Sequence, residues 1–250
     1  MKLISTLRAA ALLSATIGTI NAQEISWNFD VYGTVNPGTT PNANVAGVVP
    51  APNWNDAFYL NGYANTGTGL MDSTGSLTPV GYTLSYPNGT WSVTGNPGGG
   101  AHHPGQDANG TFNMEMLNGY MNVGGSATES IALTGINYSQ YSIYVYFSSD
   151  TAGRTGTVSD GGTTYDFSTV GPGEVSGPNA PLSQTSDSSG ANPSADYAVF
   201  SGLTGSSQTI TAGIPSFGGI AAFQIVATPE PSAIALVMLG GGIMLIRRRK

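Results

Sequence analysis

The chain has 250 residues, no cysteine, 36 glycines and a formal net charge of −7, and only 8% of its residues are charged. Ordinary globular chains carry about 25% charged residues, and 40% apolar residues set this one apart from the highly charged composition of a disordered chain. Residues 23–228 hold Arg154 as their only cation against 13 acids, a net of −12. A field of that sign repels phosphates and speaks against nucleic acid as a partner.

The first 22 residues read as a secretory signal peptide. Lys2 and Arg8 form a basic start, residues 9–20 an apolar stretch, and Ile20-Asn21-Ala22 a small-residue cleavage site. An exported body without cysteine has no disulfide framework, so its stability must come from its core.

From residue 23 onward no segment keeps a 3.6-residue period, whereas period 2 recurs. In ISWNFDVYG, Ile25, Trp27, Phe29 and Val31 share one face. Residues 36–55 are a loop-rich stretch containing Trp54. VGYTLSY and TWSVTG flank Pro87-Asn88-Gly89, and Asn-Gly between alternating runs predicts a hairpin because both residues tolerate positive φ. NPGGGAHHPGQDANG carries the only histidines, His102 and His103, with Asp107 nearby. Two imidazoles and a carboxylate suit a transition metal, but adjacent histidines in a glycine-rich loop set no shared geometry, and a solvated loop is the expected reading. Asp107-Ala108-Asn109-Gly110-Thr111 fits an acidic variant of the Asn-x-Ser/Thr acceptor, and Asn88-Gly89-Thr90 and Asn137-Tyr138-Ser139 fit the plain form.

FNMEML and ESIALTG read as strands. YSIYVYFSS puts Tyr141, Ile143, Val145 and Phe147 on one face and Tyr144 and Tyr146 on the other. Asp150, Asp160 and Asp166 lie close in sequence and offer oxygens to a structural calcium, although Asp160-Gly161 also serves as a plain hairpin turn. TGTVSD, TTYDFS, YAVFSG, SQTITAG and GIAAFQIVA complete ten or eleven short strands, interrupted by a loop-rich stretch at 171–196. That spacing predicts an all-β, jelly-roll-like two-sheet sandwich over residues 23–227. The echo of Leu60-Asn61-Gly62-Tyr63 in Leu117-Asn118-Gly119-Tyr120 is too short to make a solenoid repeat.

The chain ends TPEPSAIALVMLGGGIMLIRRRK. Pro229 and Pro231 hold Thr228 to Pro231 extended, and Pro231 suits the first position of a helix. Residues 232–246 are 15 uncharged residues, short for a full membrane span of about 17–25. Arg247, Arg248, Arg249 and Lys250 should stay cytoplasmic. Gly240-Gly241-Gly242 weakens that helix at its middle.

Signal peptide, Pro229-Glu230-Pro231, short apolar run and terminal Arg cluster together resemble the PEP-CTERM sorting signal over residues 228–250. The resemblance implies processing by an exosortase, a membrane transpeptidase that supplies its own cysteine. It also implies an inner-membrane intermediate followed by the outer surface or matrix of a Gram-negative bacterium that makes extracellular polysaccharide. In the body, the segment AGVVPAPNWN at 46–55, Leu117 to Tyr120 and YSIYVYF at 141–147 resemble a secreted domain of planctomycete and verrucomicrobial envelope proteins, similar to galactose-binding-like jelly rolls.

The functional expectation is an exported envelope or matrix protein, structural or adhesive beside the cell's own polysaccharide. A dedicated carbohydrate-binding module, with or without calcium, competes with it. Sugar sites pair an aromatic platform with a few polar groups, and Trp54, Trp91, Tyr144 and Tyr146 are the candidate platform residues, although aromatics in alternating strands usually pack the core. A glycoside-active enzyme would need two converging carboxylates. The sequence singles out none, lacks a G-x-S-x-G elbow and nominates no catalytic residue, and no cofactor is expected beyond that calcium.

Overall fold

The computed structural model describes residues 23–29, 44–56, 64–86, 90–92, 111–117, 119–122, 125, 128–170 and 181–229. These residues belong to one compact unit, Ala22–Glu230. In chain order the strands are β1 (Glu24–Asn28), β2 (Asn55–Asp56), β3 (Ala64–Thr68), β4 (Gly81–Ser85), β5 (Thr90–Ser92), β6 (Gly119–Met121), β7 (Glu129–Thr134) and β8 (Tyr141–Ser148). They continue with β9 (Thr155–Ser159), β10 (Thr164–Thr169), β11 (Gln184–Thr185), β12 (Ser194–Ala195), β13 (Tyr197–Leu203), β14 (Ser207–Gly213) and β15 (Gly219–Ala227). A single helical turn, α1 (Asn113–Met116), precedes β6.

Two mixed sheets form a β-sandwich. The first has the order β11-β13-β8-β15-β1-β2 and the second β12-β10-β9-β14-β7-β4-β3, while β5 and β6 make a separate pair. Most pairs are antiparallel; the parallel ones, β1/β2, β10/β12 and β11/β13, each involve a two-residue strand at a sheet edge. Edges this short offer little template for pairing with another chain. From β10 to β15 the chain alternates between the sheets, and β1 lies against β15, with Trp27 opposite Phe223.

Period 2 explains the core. Tyr141, Ile143, Val145 and Phe147 of β8 all enter the main cluster, where they meet Ile131 and Leu133 of β7, Val158 of β9, Phe167 of β10 and Ile210 of β14. Phe147 stacks on Phe167 across the two sheets with centroids 3.6 Å apart. Trp27 stacks on Phe223 at 5.3 Å and reaches Tyr82 of the opposite sheet at 6.0 Å. Each such pair adds about 0.5–1.5 kcal/mol beyond the area it buries.

The other face of β8 is covered too. Tyr146 joins Ala46, Trp54, Met116, Leu117, Tyr120 and Tyr197 in a second cluster outside the first sheet, with Tyr144 packed against it. The segment at 44–54, predicted as open loop, is a strap over that sheet. It is pinned by backbone bonds between Ala46 and Ala51, by Gly47 N–H donating to Asn113 Oδ1 at 2.8 Å, and by a buried polar chain. Val48 N–H donates to Tyr146 Oη at 2.8 Å, Tyr146 Oη donates to Gln224 Oε1 at 2.5 Å, and Gln224 Nε2 donates to Val49 O at 2.8 Å. Gly47 has φ 94°, and a Cβ there would collide with Gln224 Oε1, so only glycine lets the strap lie this close.

Two expectations are corrected. FNMEML is not a strand: Met116 N–H donates to Phe112 O at 3.0 Å and Leu117 N–H to Asn113 O at 3.1 Å, because one helical turn lets Met116 and Leu117 both plug the second cluster. The strands around Asn88-Gly89 do not pair with each other. Both edges of β4 are occupied by β3 and β7, so β5 pairs with β6 instead. Periodicity also misses β3, β6 and the two-residue strands β2, β11 and β12, which is why the structure has more strands than expected.

Candidate functional site

The predicted aromatic platform does not exist as a unit. Trp54 and Tyr146 are each 0% exposed, with Trp54 Nε1 donating to Ala51 O at 2.8 Å and the two rings edge-on at 6.5 Å. As sugar contacts both are corrected: the strap, α1 and β6 cover the face they were expected to present. Tyr144 is half-buried and stacks on Tyr197 at 6.3 Å. Trp91 pairs with Tyr120 in register, and its side chain lies outside the described residues. So do His102, His103, Asp107, Asn109, the expected signal peptide at 1–22, Glu230, Pro231, residues 232–246 and Arg247, Arg248, Arg249 and Lys250. Pro229 is exposed, one residue past Thr228, whose N–H still donates to Gln140 O at 2.9 Å. Among the described residues no helix is long and apolar enough to cross a membrane.

The three aspartates proposed for calcium do three separate jobs. Asp160 Oδ1 accepts from Gly162 N–H at 2.9 Å and Thr163 N–H at 2.6 Å in the β9–β10 turn, where Gly161 has φ 88°. Asp166 Oδ2 accepts from Gly190 N–H at 3.1 Å. Asp150 Oδ1 lies 2.8 Å from Arg154 Nη2. Among the described residues no group of three or more His, Asp or Glu side chains is placed to hold a metal ion.

A different constellation forms at one end of the sandwich. A cavity of about 210 Å³ has Tyr120, Asn122, Asp150 and Phe217 as its described walls. β6 delivers Tyr120, Asn122 follows it, Asp150 follows β8, and Phe217 sits between β14 and β15. Phe217 is 55% exposed, one of two large apolar side chains so open among the described residues; the other is Leu77. Its φ is 47°, a left-handed conformation uncommon for a bulky residue and worth a functional question when observed.

Arg154 holds that ring in place. Its Nη1 donates to Ser216 O at 2.5 Å and to Phe217 O, and its Nη2 to Thr151 Oγ1 at 3.2 Å. Its guanidinium carbon lies 5.6 Å from the Phe217 ring centre, a cation–π contact worth about 0.5–1 kcal/mol at an exposed site. The only cation of residues 23–228 is thus engaged in fixing one loop.

The polar lining is not self-satisfied. Asn122 is buried and its Oδ1 has no hydrogen-bond partner among the described residues. The buried Tyr120 hydroxyl lies against the Asp150 backbone, and burial and the Asp150 charge push its pKa up. Glu129 is a buried neighbour of this group. Its Oε1 accepts from Ile220 N–H at 2.5 Å, its Oε2 has no partner among the described residues, and burial pushes the carboxyl well above the usual range. Buried polar atoms are paired in the great majority of cases, so unpaired ones beside a cavity mark where a ligand or water belongs. Of the two carboxylates only Asp150 is a described wall of the cavity.

The arrangement suits binding: an exposed aromatic ring, an amide, a carboxylate and a phenol around a small concavity. Sequence reasoning sought the platform at Trp54, Trp91, Tyr144 and Tyr146 and missed Phe217. The signal available was an aromatic in the turn-rich stretch PSFGG, where no strand can hide it. No family model matches the chain, and no curated protein matches it.

Proposed function

We propose that the chain is an exported, exosortase-processed envelope or matrix protein whose jelly-roll-like body is structural or adhesive in association with the cell's own polysaccharide. The observation that carries the polysaccharide part is the Phe217 ring standing open beside Tyr120, Asn122 and Asp150. Sugars stack their C–H faces on such rings and take hydrogen bonds from amides and carboxylates. The sorting part rests on the tail pattern from Pro229 to Lys250 and on the exposure of Thr228 and Pro229 after the last strand, where a processing enzyme needs an extended peptide.

The test of the first part is binding of the mature protein to the host's extracellular polysaccharide. Saturable binding that Phe217→Ala weakens by about tenfold, equivalent to about 1.4 kcal/mol, supports it. Wild-type protein that does not bind overturns it. The test of the second part is mass spectrometry of the mature protein. Peptides spanning residues 243–247 should be missing, and intact tails on most molecules refute processing.

A further inference from the structure

The loop that carries Phe217 has a second side. There a groove of about 340 Å³ is lined by Thr128, Thr155, Thr157, Asn192, Gly213 and Pro215, with Gly156 in its floor. Thr155 and Thr157 project outward from β9 on either side of Gly156, whose absent side chain would point inward to Ile214 and Phe167. β14 brings Gly213 opposite Thr157. A Cβ on Gly213 would stand in the groove, 3.6 Å from Thr128 Cγ2 and 3.8 Å from Thr157 Oγ1. The groove is therefore open because residue 213 has no side chain.

Groove and cavity share one wall. Pro215 lines the first and Phe217 the second, and Arg154, next in sequence to Thr155, clamps the carbonyls of Ser216 and Phe217 between them. None of the described groove-lining residues is charged. Its polar groups are threonine hydroxyls, which donate and accept, and an asparagine amide.

We propose that the groove and the cavity are successive subsites for one neutral, hydroxyl-rich polysaccharide chain lying across the ridge at 215–217. This rests on the reading of the Phe217 cavity as a glycan site. Charge excludes the anionic alternative. Residues 23–228 carry a net of −12 and one cation, and that cation is already bound to Asp150 and to loop carbonyls, so no free Arg or Lys side chain remains there to take a carboxylate or sulfate. Two concavities on one wall, one of them an open trough, fit an internal stretch of polymer rather than a single terminal sugar.

The experiment is calorimetric titration of the mature protein with di- to hexasaccharides of glucan, galactan and mannan, and with oligogalacturonates of the same lengths. Affinity for at least one neutral series should rise at least tenfold from di- to hexasaccharide. The uncharged Gly213→Val, whose Cβ would meet Thr128 and Thr157 at ordinary contact distances, should bring the hexasaccharide down to the affinity of the disaccharide. Thr157→Val, a change of one hydroxyl to a methyl, should remove part of the same gain, and thermal melts confirm that both variants fold. Affinity independent of length, or a length gain untouched by Gly213→Val, overturns the second subsite while leaving the Phe217 reading intact. Preference for oligogalacturonates overturns the neutral assignment. Failure of the wild-type protein to bind any neutral series, together with the host polysaccharide, sinks the glycan reading itself.

Discussion

Replacing Glu129 by Gln removes one proton-binding group from the core and keeps its shape. Glu129 is 1% exposed, its Oε1 is held by Ile220 N–H, and its Oε2 has no partner among the described residues. Gln keeps an acceptor for Ile220 and needs no charge. In the folded state burial raises this carboxyl well above its ordinary value of 4.5, so above that pH the folded chain binds a proton that the unfolded chain has released. Stability then falls as pH rises, by about 1.4 kcal/mol per pH unit for one proton, until the folded pKa is passed. Below pH 4.5 the group is protonated in both states and its contribution is constant. Burial also pushes Glu24 up to about 7, and it raises Asp196 against the hydrogen bonds from Ser183. Among the described residues the wild-type curve thus sums three raised acids, and the difference between wild type and Glu129→Gln isolates one. Urea melts from pH 4 to 8 read it directly. The variant should gain on the wild type at about 1.4 kcal/mol per unit above pH 4.5, and each 1 kcal/mol should appear as about 2–4 °C in Tm for a body of this size. Parallel stability curves, or a variant that loses ground as pH rises, would refute the assignment of an unpaired, desolvated carboxyl.

Three further outcomes are expected. Gly219→Ala drives a Cβ into Met121 O and to 2.7 Å from Glu129 Oε2, and overpacking against backbone should cost about 3 kcal/mol or more, seen as a lowered urea midpoint. Tyr146→Phe leaves Val48 N–H and Gln224 Oε1 without their partner and should cost about 1–3 kcal/mol; an unchanged midpoint would mean that the strap is not held from beneath. Burial raises Asp72, but hydrogen bonds from Thr74, Ser76 and Gln23 outweigh it and leave the carboxyl below 3.8. Its stabilisation is present above that pH and lost as pH falls through the folded value, so Asp72→Asn should flatten the acid side of the melting curve.

The alternation of YSIYVYFSS was enough to assign Tyr141 to Phe147 to one core and Tyr146 to the opposite face, because pleat geometry leaves no other choice. The β9–β10 turn at Asp160-Gly161 was equally readable from local chemistry. What period 2 cannot show is what covers the second face. The expectation that Tyr146 and Trp54 meet solvent failed because a strap from a distant, glycine- and proline-rich segment buries them, and such non-local packing leaves no periodic trace. FNMEML failed for a related reason: four residues are too few for either period to declare itself. Asn88-Gly89 is a local signal overridden by the demand of β4 for two other partners. The cavity draws Tyr120, Asn122, Asp150 and Phe217 from three separate stretches, and no spacing rule links them. Phe217 itself was visible only as an aromatic where turn residues predominate.

The solitary position of Arg154 has a consequence for resistance to proteolysis. Proteases of the trypsin type cut after Arg or Lys, and within residues 23–228 they have a single bond to attack, Arg154–Thr155. The side chain that such an enzyme must draw into its pocket is tied to Asp150, Ser216 and Phe217, and the next residue opens β9. The body should persist uncut while the loop at 214–218 stays closed, and it should fall into two fragments once that loop opens. Trypsin thereby becomes a one-site reporter of the same clamp that shapes the Phe217 cavity.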